Sequence, residues 1–326
     1  MHMKKCWCGS KVNKKYSQHY YVCEKCHTLV SEVDFTEEIE HVENEETDLY
    51  GMNYWEKLMC RLTGKKTLDE VIDYYLQERV LHWIQSILRY SGGGIKIAEI
   101  GAGIGQFCYL LKQTGFKQTG FELSKEICKY AEKTLNINMH QGDIADISEE
   151  YDMIIAFDLL EHLIDPNKFL DCCKQHLKAE GIICIQTPSY DPALSYEDML
   201  NKAPRFQGHL TEFQHINLFS RESIETLLKG HGFVFINFEH AVFGDDYDMF
   251  VFASRFPMKL YSENEINQYL NSVENGRLIK SMCSLYKQVN EKQKVIEELE
   301  AYKNYLEKEN EALKSLERIY ENRNFN

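Results

Sequence analysis

The chain has 326 residues, 44% of them hydrophobic, and a formal net charge of −14. That length predicts one main domain with smaller attachments, and that composition is ample for a packed core. So acidic a surface repels phosphate backbones at long range and argues against general nucleic-acid binding, and no apolar run is long enough to cross a bilayer.

Residues 1–33 carry Cys6-x-Cys8-Gly9 and Cys23-x-x-Cys26. Four thiolates match a tetrahedral zinc site, and a stretch this short has little core of its own, so metal would supply its folding energy. The first pair is tighter than a zinc ribbon usually has, which leaves His27 or His2 as substitutes for one thiol. A redox reading of the second pair lacks the strand-to-helix context it needs. Lys4, Lys5, Lys11, Lys14 and Lys15 form a local basic patch, so RNA binding by this module is the rival reading. The N-terminus, MHMKKCWCGS, lacks the apolar stretch of a secretory signal, and 11 cysteines then read as reduced thiols in a cytoplasm.

Residues 34–90 begin with an acidic connector (34–50, containing TEEIEHVENEETD) and continue as a helical cover from Leu68 to Tyr90. Tyr50, Tyr54 and Trp55 precede those helices. Tyr54 is placed either in the lining of the cover or in its packing.

Residues 91–260 alternate strand and helix signals. Strands are expected at Ile95–Ile100, at Lys117–Glu122, just before Gly142-Asp143, and at Tyr151–Phe157, Ile182–Gln186, Phe233–Glu239 and Asp248–Arg255. Helices are expected from Phe107, over Lys125–Leu135 behind the N-cap Ser124, from Pro166 to Leu177, and from Ser220 to Lys229. This pattern means a parallel sheet covered on both faces, with the last two strands, which have no helix between them, as an antiparallel edge. Residues 190–219 form a long insertion. Residues 261–326 form a helical tail. There, Val289 and Ile296 share one heptad position and Leu285, Leu299, Leu306 and Leu313 another. Asn310 sits at an inner position, and Lys292, Lys303 and Glu317 interrupt the seam. A short coiled coil joining two copies is expected, against one amphipathic helix packed on its own domain.

In such a sheet, ligands bind at the carboxyl ends of the strands. The first strand ends in Glu99-x-Gly101-Ala102-Gly103-x-Gly105, with Gln106 where a dinucleotide fingerprint would have its third glycine. Glycines there let the backbone pass under a ligand, or simply make a tight turn. The second strand ends in Glu122-Leu123, where a carboxylate can accept two hydrogen bonds from a ribose diol. The third is followed by Asp143-Ile144, suited to an adenine amino group and ring. The fourth ends in Phe157-Asp158-Leu159-Leu160-Glu161-His162.

The ordered set EIGAGIGQF, GFELS, QGDI, AFDLLEHLIDP and IQTPSY resembles the class I methyltransferases that use S-adenosylmethionine, over roughly residues 50–255. The Asp-x-x-Glu-His motif, with DLYGMNYW and QHINLFS, resembles the branch that modifies sugars, lipids, quinones and glycan precursors; members of that type often begin with a zinc module. The resemblance implies a Rossmann-like seven-stranded α/β fold. It also implies cofactor contacts from Glu99, Gly101, Ala102, Gly103, Gly105, Glu122, Leu123, Asp143, Ile144, Phe157 and Asp158, and a small-molecule or glycan acceptor. Its sulfonium carries its own leaving group, so the protein mainly aligns the reactants and takes a proton from a hydroxyl or amine. His162 and His215 are the candidate bases, each with a purely orienting role as its alternative. His209 is a weaker candidate in a polar loop, and Glu161 reads as a helix-start acid that could assist His162. Asp158 and Asp165 lack a third ligand for a divalent metal. Oxygen methylation of a sugar or glycan precursor is the preferred expectation. Methylation of RNA or protein, or a non-catalytic scaffold subunit of the same fold, are the alternatives.

Overall fold

The structure, a computed structural model, describes residues 4–33, 42–77 and 79–324, with side chains as far as residue 315. His2, residues 34–41 of the acidic run and the Glu317 side chain lie outside the described residues. The chain divides into two units, Met1–Ile279 and Lys280–Asn326.

The centre of the first unit is a seven-stranded sheet: β1 (Lys96–Ile100), β2 (Lys117–Glu122), β3 (Met139–Gln141), β4 (Tyr151–Phe157), β5 (Leu177–Pro188), β6 (Phe235–Glu239) and β7 (Asp248–Ser254). The order across it is β6-β7-β5-β4-β1-β2-β3. Strands β1 to β5 pair in parallel, while β7 runs antiparallel to both β5 and β6. The antiparallel pair forms one edge of the sheet, as expected, with its two strands in reversed order. The last strand inserts between β5 and β6 and leaves β6 outermost, so β7 is covered on both sides and reads as the apolar run DMFVFAS. Buried on both faces, β4 is likewise nearly all apolar. Pairing of β5 with β4 shifts between Leu177 and Ile182, so its regular ladder begins after Gly181.

Helices α1 (Leu68–Gln77), α2 (Arg79–Ser91), α3 (Gln106–Gln113), α4 (Lys125–Leu135), α5 (Pro166–His176) and α7 (Arg221–Gly230) follow the sequence signals closely, while α6 (Tyr196–Lys202) lies inside the long insertion, outside the expected helices. The Ser124 hydroxyl accepts from Ile127 N–H at the start of α4, and Asp165 caps α5 with Pro166 in its first turn. Ile154, Leu170, Ile183, Leu227 and Val251 share one core between the sheet and α5 and α7.

The N-terminal segment joins the insertion rather than standing apart. Its strand Leu29–Ser31 pairs antiparallel with Asn217–Leu218, giving a small sheet that continues through Tyr20–Val22 to Lys14–Lys15. Helix α8 (Glu263–Ser272) precedes the long α9 (Gly276–Asn324). Within the second unit, Leu285, Val289, Ile296, Leu299, Leu306 and Leu313 are all exposed. No helix of the described residues is long and apolar enough to cross a membrane.

Candidate active site

A cavity of about 970 Å³ opens at the carboxyl ends of β1, β2 and β4. That is the upper end of the roughly 300–1,000 Å³ usual for small-molecule sites, enough for a cofactor and a second reactant.

One wall is the glycine loop. Gly101 and Ala102 N–H both donate to the Phe121 carbonyl, at 2.9 Å each, and Gly103 N–H donates to Glu122 Oε2 at 2.9 Å. Glu99, Gly101, Ala102, Gln106, Glu122, Leu123, Asp143, Phe157 and Asp158 line the cavity; Gly103, Gly105 and Ile144 do not. Ile144 is fully buried in the core beside Phe121 and Leu160. Gly103 and Gly105 have φ of +53° and +77°. A Cβ on Gly103 would lie 2.3 Å from the Trp55 indole, and one on Gly105 2.4 Å from Ile137 Cδ1. At these two positions the protein's own side chains, not a ligand, require glycine.

Glu122 is 7% exposed, and its carboxylate also accepts from Leu123 and Ser124 N–H at 2.8 and 3.2 Å. Three of roughly four acceptor places are thus taken, leaving room for about one ribose hydroxyl rather than two. Burial pushes the Glu122 carboxyl up to about 6 against these bonds. Glu99, also buried, accepts from the Cys108 thiol at 3.0 Å and is pushed up to about 8 by burial. Asp143 caps the turn Ile144–Asp146 by accepting from Ala145 N–H, with its side chain exposed to the cavity. The Gln106 Oε1 in the wall is buried without a hydrogen-bond partner. An unmatched buried acceptor, a carboxylate with one place left and a tight glycine loop suit a nucleoside carrying an amino-acid tail.

Asp158 adopts a left-handed φ of +49° at the end of β4, and its carboxylate pairs with Arg79 at 3.3 Å. The Arg79 guanidinium lies 4.4 Å from the Tyr75 ring and 4.7 Å from Phe243. Nothing in the sequence signalled Arg79, which sits within an ordinary amphipathic helix.

The facing wall gathers three groups. Glu161 does start a short helical turn, Leu160–His162, but it is buried there, 1% exposed. Its Oε2 accepts from the Thr187 hydroxyl at 2.8 Å, and ring nitrogens of His162 and His215 and its own oxygen lie within 4.8 Å of one another. Three such groups could share a proton or hold a cation. His215 Nδ1–H donates to the His209 carbonyl at 2.7 Å, which leaves Nε2 with the lone pair. His162 Nδ1 lies 2.9 Å from the Gln214 carbonyl and 3.0 Å from the Tyr50 hydroxyl. A carbonyl only accepts, so that nitrogen carries the proton. The two imidazoles meet edge to face at 4.9 Å. Burial pulls both histidines below their usual range, against Glu161, which raises His215. Burial pushes Glu161 up to about 7. His209, stacked on His215, is pulled to about 4, chiefly by burial. Tyr50, Tyr54, Trp55 and Asp165 all line this cavity, and Asp165 also caps α5.

Residues 72–237, just over half of the 326, match the family described as a methyltransferase domain. The chain belongs to this family. It is the S-adenosylmethionine-dependent class I family, and the seven-stranded order above carries its fold. The methyltransferase chain is 27% identical over 107 residues to the ubiquinone biosynthesis O-methyltransferase of Haemophilus ducreyi, covering 29% of this chain and 45% of that one. It is 26% identical over 153 residues to the mitochondrial ubiquinone biosynthesis O-methyltransferase of Bos taurus, covering 43% and 41%. It thus spans less than half the length of these curated relatives. Among solved structures it is similar to magnesium protoporphyrin IX methyltransferase from Synechocystis PCC 6803, with 15% identity, a TM-score of 0.43, and coverage of 63% of this chain and 97% of that one.

Away from the cavity, Cys6, Cys8, Cys23 and Cys26 of the methyltransferase bring their sulfurs within 4.8 Å of one another, with Cys6–Cys26 at 3.4 Å and Cys8–Cys23 at 3.5 Å. Gly9 N–H turns back to the Cys6 carbonyl, and His27 N–H to that of Cys23. The His27 ring faces Glu222 at 3.9 Å, so the tight first pair still contributes both of its sulfurs without it.

Proposed function

We propose that the protein transfers the methyl group of S-adenosylmethionine to a hydroxyl oxygen of a small molecule, with a sugar or glycan precursor as the acceptor class. The observation that carries this is the convergence of Glu161, His162 and His215 on the cavity that the glycine loop and Glu122 line. When bound, the cofactor supplies an activated methyl on sulfur. Glu122 would hold its ribose, and Gln106 with the loop its amino-acid end. His215 Nε2, neutral at pH 7 because burial lowers its pKa, takes the hydroxyl proton, and the Glu161 carboxylate steadies the imidazolium that forms. His162, fixed by Gln214 and close to Tyr50, orients the acceptor oxygen.

Aromatic rings of Tyr54, Phe213, Phe243 and Tyr247 with polar Arg205 and His209 complete the acceptor side. Such a mixture suits the faces and hydroxyls of a sugar. It also suits a phenol, the second reading, which the ubiquinone-pathway names of the relatives favour. Incubating full-length protein with cofactor and a panel of nucleotide sugars and catechols, and measuring S-adenosylhomocysteine, separates the two. Turnover with neither class overturns the acceptor assignment. A divalent cation on the same three groups would make turnover sensitive to chelators, whereas the histidine base survives them.

The same reading includes structural zinc on Cys6, Cys8, Cys23 and Cys26. Zinc–sulfur bonds of about 2.3 Å place tetrahedral sulfurs about 3.8 Å apart, close to the spacing here. It includes self-association through the exposed seam of the second unit, which light scattering of the full-length protein against a chain stopped near residue 270 tests: a larger mass only for the full-length chain supports it.

A further inference from the structure

We infer that the cysteine module is the clamp that positions His215, so that zinc on its four thiolates controls acceptor-side geometry and leaves cofactor binding alone. This rests on the zinc and histidine-base readings above.

The segment carrying His215 is held from the module side along its length. The Ser31 hydroxyl donates to the Glu212 carbonyl at 2.7 Å, and Ser31 N–H to that of Ile216 at 2.9 Å. The Tyr20 hydroxyl donates to the carbonyl of His215 itself at 2.8 Å. Asn217 and Leu218 then pair with Val30 and Leu29. These bonds fix the backbone on both sides of the imidazole.

The strand that makes them depends in turn on the sulfurs. Val30, the register partner of Asn217, packs its side chain in one small cluster with Cys6, Val12, Cys23 and Cys26. Two residues before Val30, the Thr28 carbonyl accepts from Cys23 N–H at 2.9 Å and the Thr28 hydroxyl oxygen from Trp7 Nε1–H at 2.8 Å. Five small side chains with only Trp7, Cys8 and Tyr21 partly packed against them make a poor core, so a metal that ties two knuckles together decides whether Leu29–Ser31 keeps its place. From there the restraint reaches the other histidine. Asn217 Nδ2–H donates to the Leu163 carbonyl at 2.8 Å, Ile216 N–H to that of Glu161 at 2.7 Å, and the Gln214 carbonyl holds His162. The glycine loop takes its bonds elsewhere, from Phe121 and Glu122. Tyr20 and Ser31 are therefore positioning residues, more than 180 positions from the imidazole they fix.

The test uses the full chain, whose zinc content is measured before and after treatment with a chelator. Hydrogen exchange is followed at residues 212–218 and 99–105, and S-adenosylhomocysteine is titrated by calorimetry. Zinc removal is expected to speed exchange at 212–218 about tenfold or more, to leave 99–105 unchanged, and to keep affinity within about twofold. Protection of 212–218 that persists without zinc, or in protein that never held zinc, overturns the inference. If chelation unfolds the whole chain, Tyr20→Phe decides: with zinc retained, the inference requires a changed His215 ring titration by NMR, and an unchanged one overturns it. Failure of untreated protein to bind S-adenosylhomocysteine would sink the methyltransferase reading instead.

Discussion

The two walls of the cavity are built in different ways. The proposed cofactor wall is assembled from strand ends, each contributing a few nearby residues: Glu99 to Ala102 with Gln106, Glu122-Leu123, Asp143 and Phe157-Asp158. The proposed acceptor wall is assembled from runs such as Glu161-His162 and Phe213 to Ile216, held by contacts between residues far apart in the chain. Tyr50 meets His162 across 112 positions, Glu161 meets Thr187 across 26, and Tyr20 meets His215 across 195. A wall made of local turns depends on backbone conformation. One made of long-range contacts depends on the pieces that hold it, so the two are expected to fail separately.

On the cofactor side, a separate loss is expected from Gly103→Ala. A left-handed φ costs an L-residue about 1–2 kcal/mol, and the new Cβ collides with the Trp55 indole. Affinity for S-adenosylhomocysteine should fall at least about tenfold together with thermal stability. Unchanged affinity would mean that the loop moves freely. On the other wall, His215→Ala should lower kcat about 10²- to 10⁴-fold, the usual worth of a positioned base, with cofactor affinity unchanged. Parallel losses of kcat and cofactor affinity would merge the two walls into one. Tyr50→Phe removes the hydroxyl beside His162 but leaves the Gln214 carbonyl, so kcat should drop only a few-fold. A larger loss would place the hydroxyl on the acceptor itself.

Legibility in the sequence follows the same division. The glycine spacing, the alternating apolar runs, the acids at successive strand ends and the caps Ser124 and Ser220 are local signals, and they located the seven strands, most of the helices and most of the residues proposed for the cofactor. They could not reveal that Gly103 and Gly105 answer to Trp55 and Ile137, that three backbone N–H groups already occupy Glu122, or that β7 slips between β5 and β6. The helix-start position of Glu161 was legible, but only the fold shows it buried beside two imidazoles. Arg79 gave no signal, since its partner Asp158 lies 79 positions away. The pairing of Leu29–Ser31 with Asn217–Leu218, which joins the cysteine module to the insertion, has no trace in either segment alone.

The central claim is that strand ends converge on one adenosyl ligand with Glu122 as its ribose acceptor. Calorimetric titration of S-adenosylhomocysteine into the full chain between pH 5 and 8 tests it most directly. Burial raises the Glu122 carboxyl to about 6, and ribose donors favour the charged form. Binding should therefore be full above that value and weaken by up to about tenfold per unit as pH falls below it. Absence of binding at every pH, or an affinity that does not change through pH 6, would contradict the account.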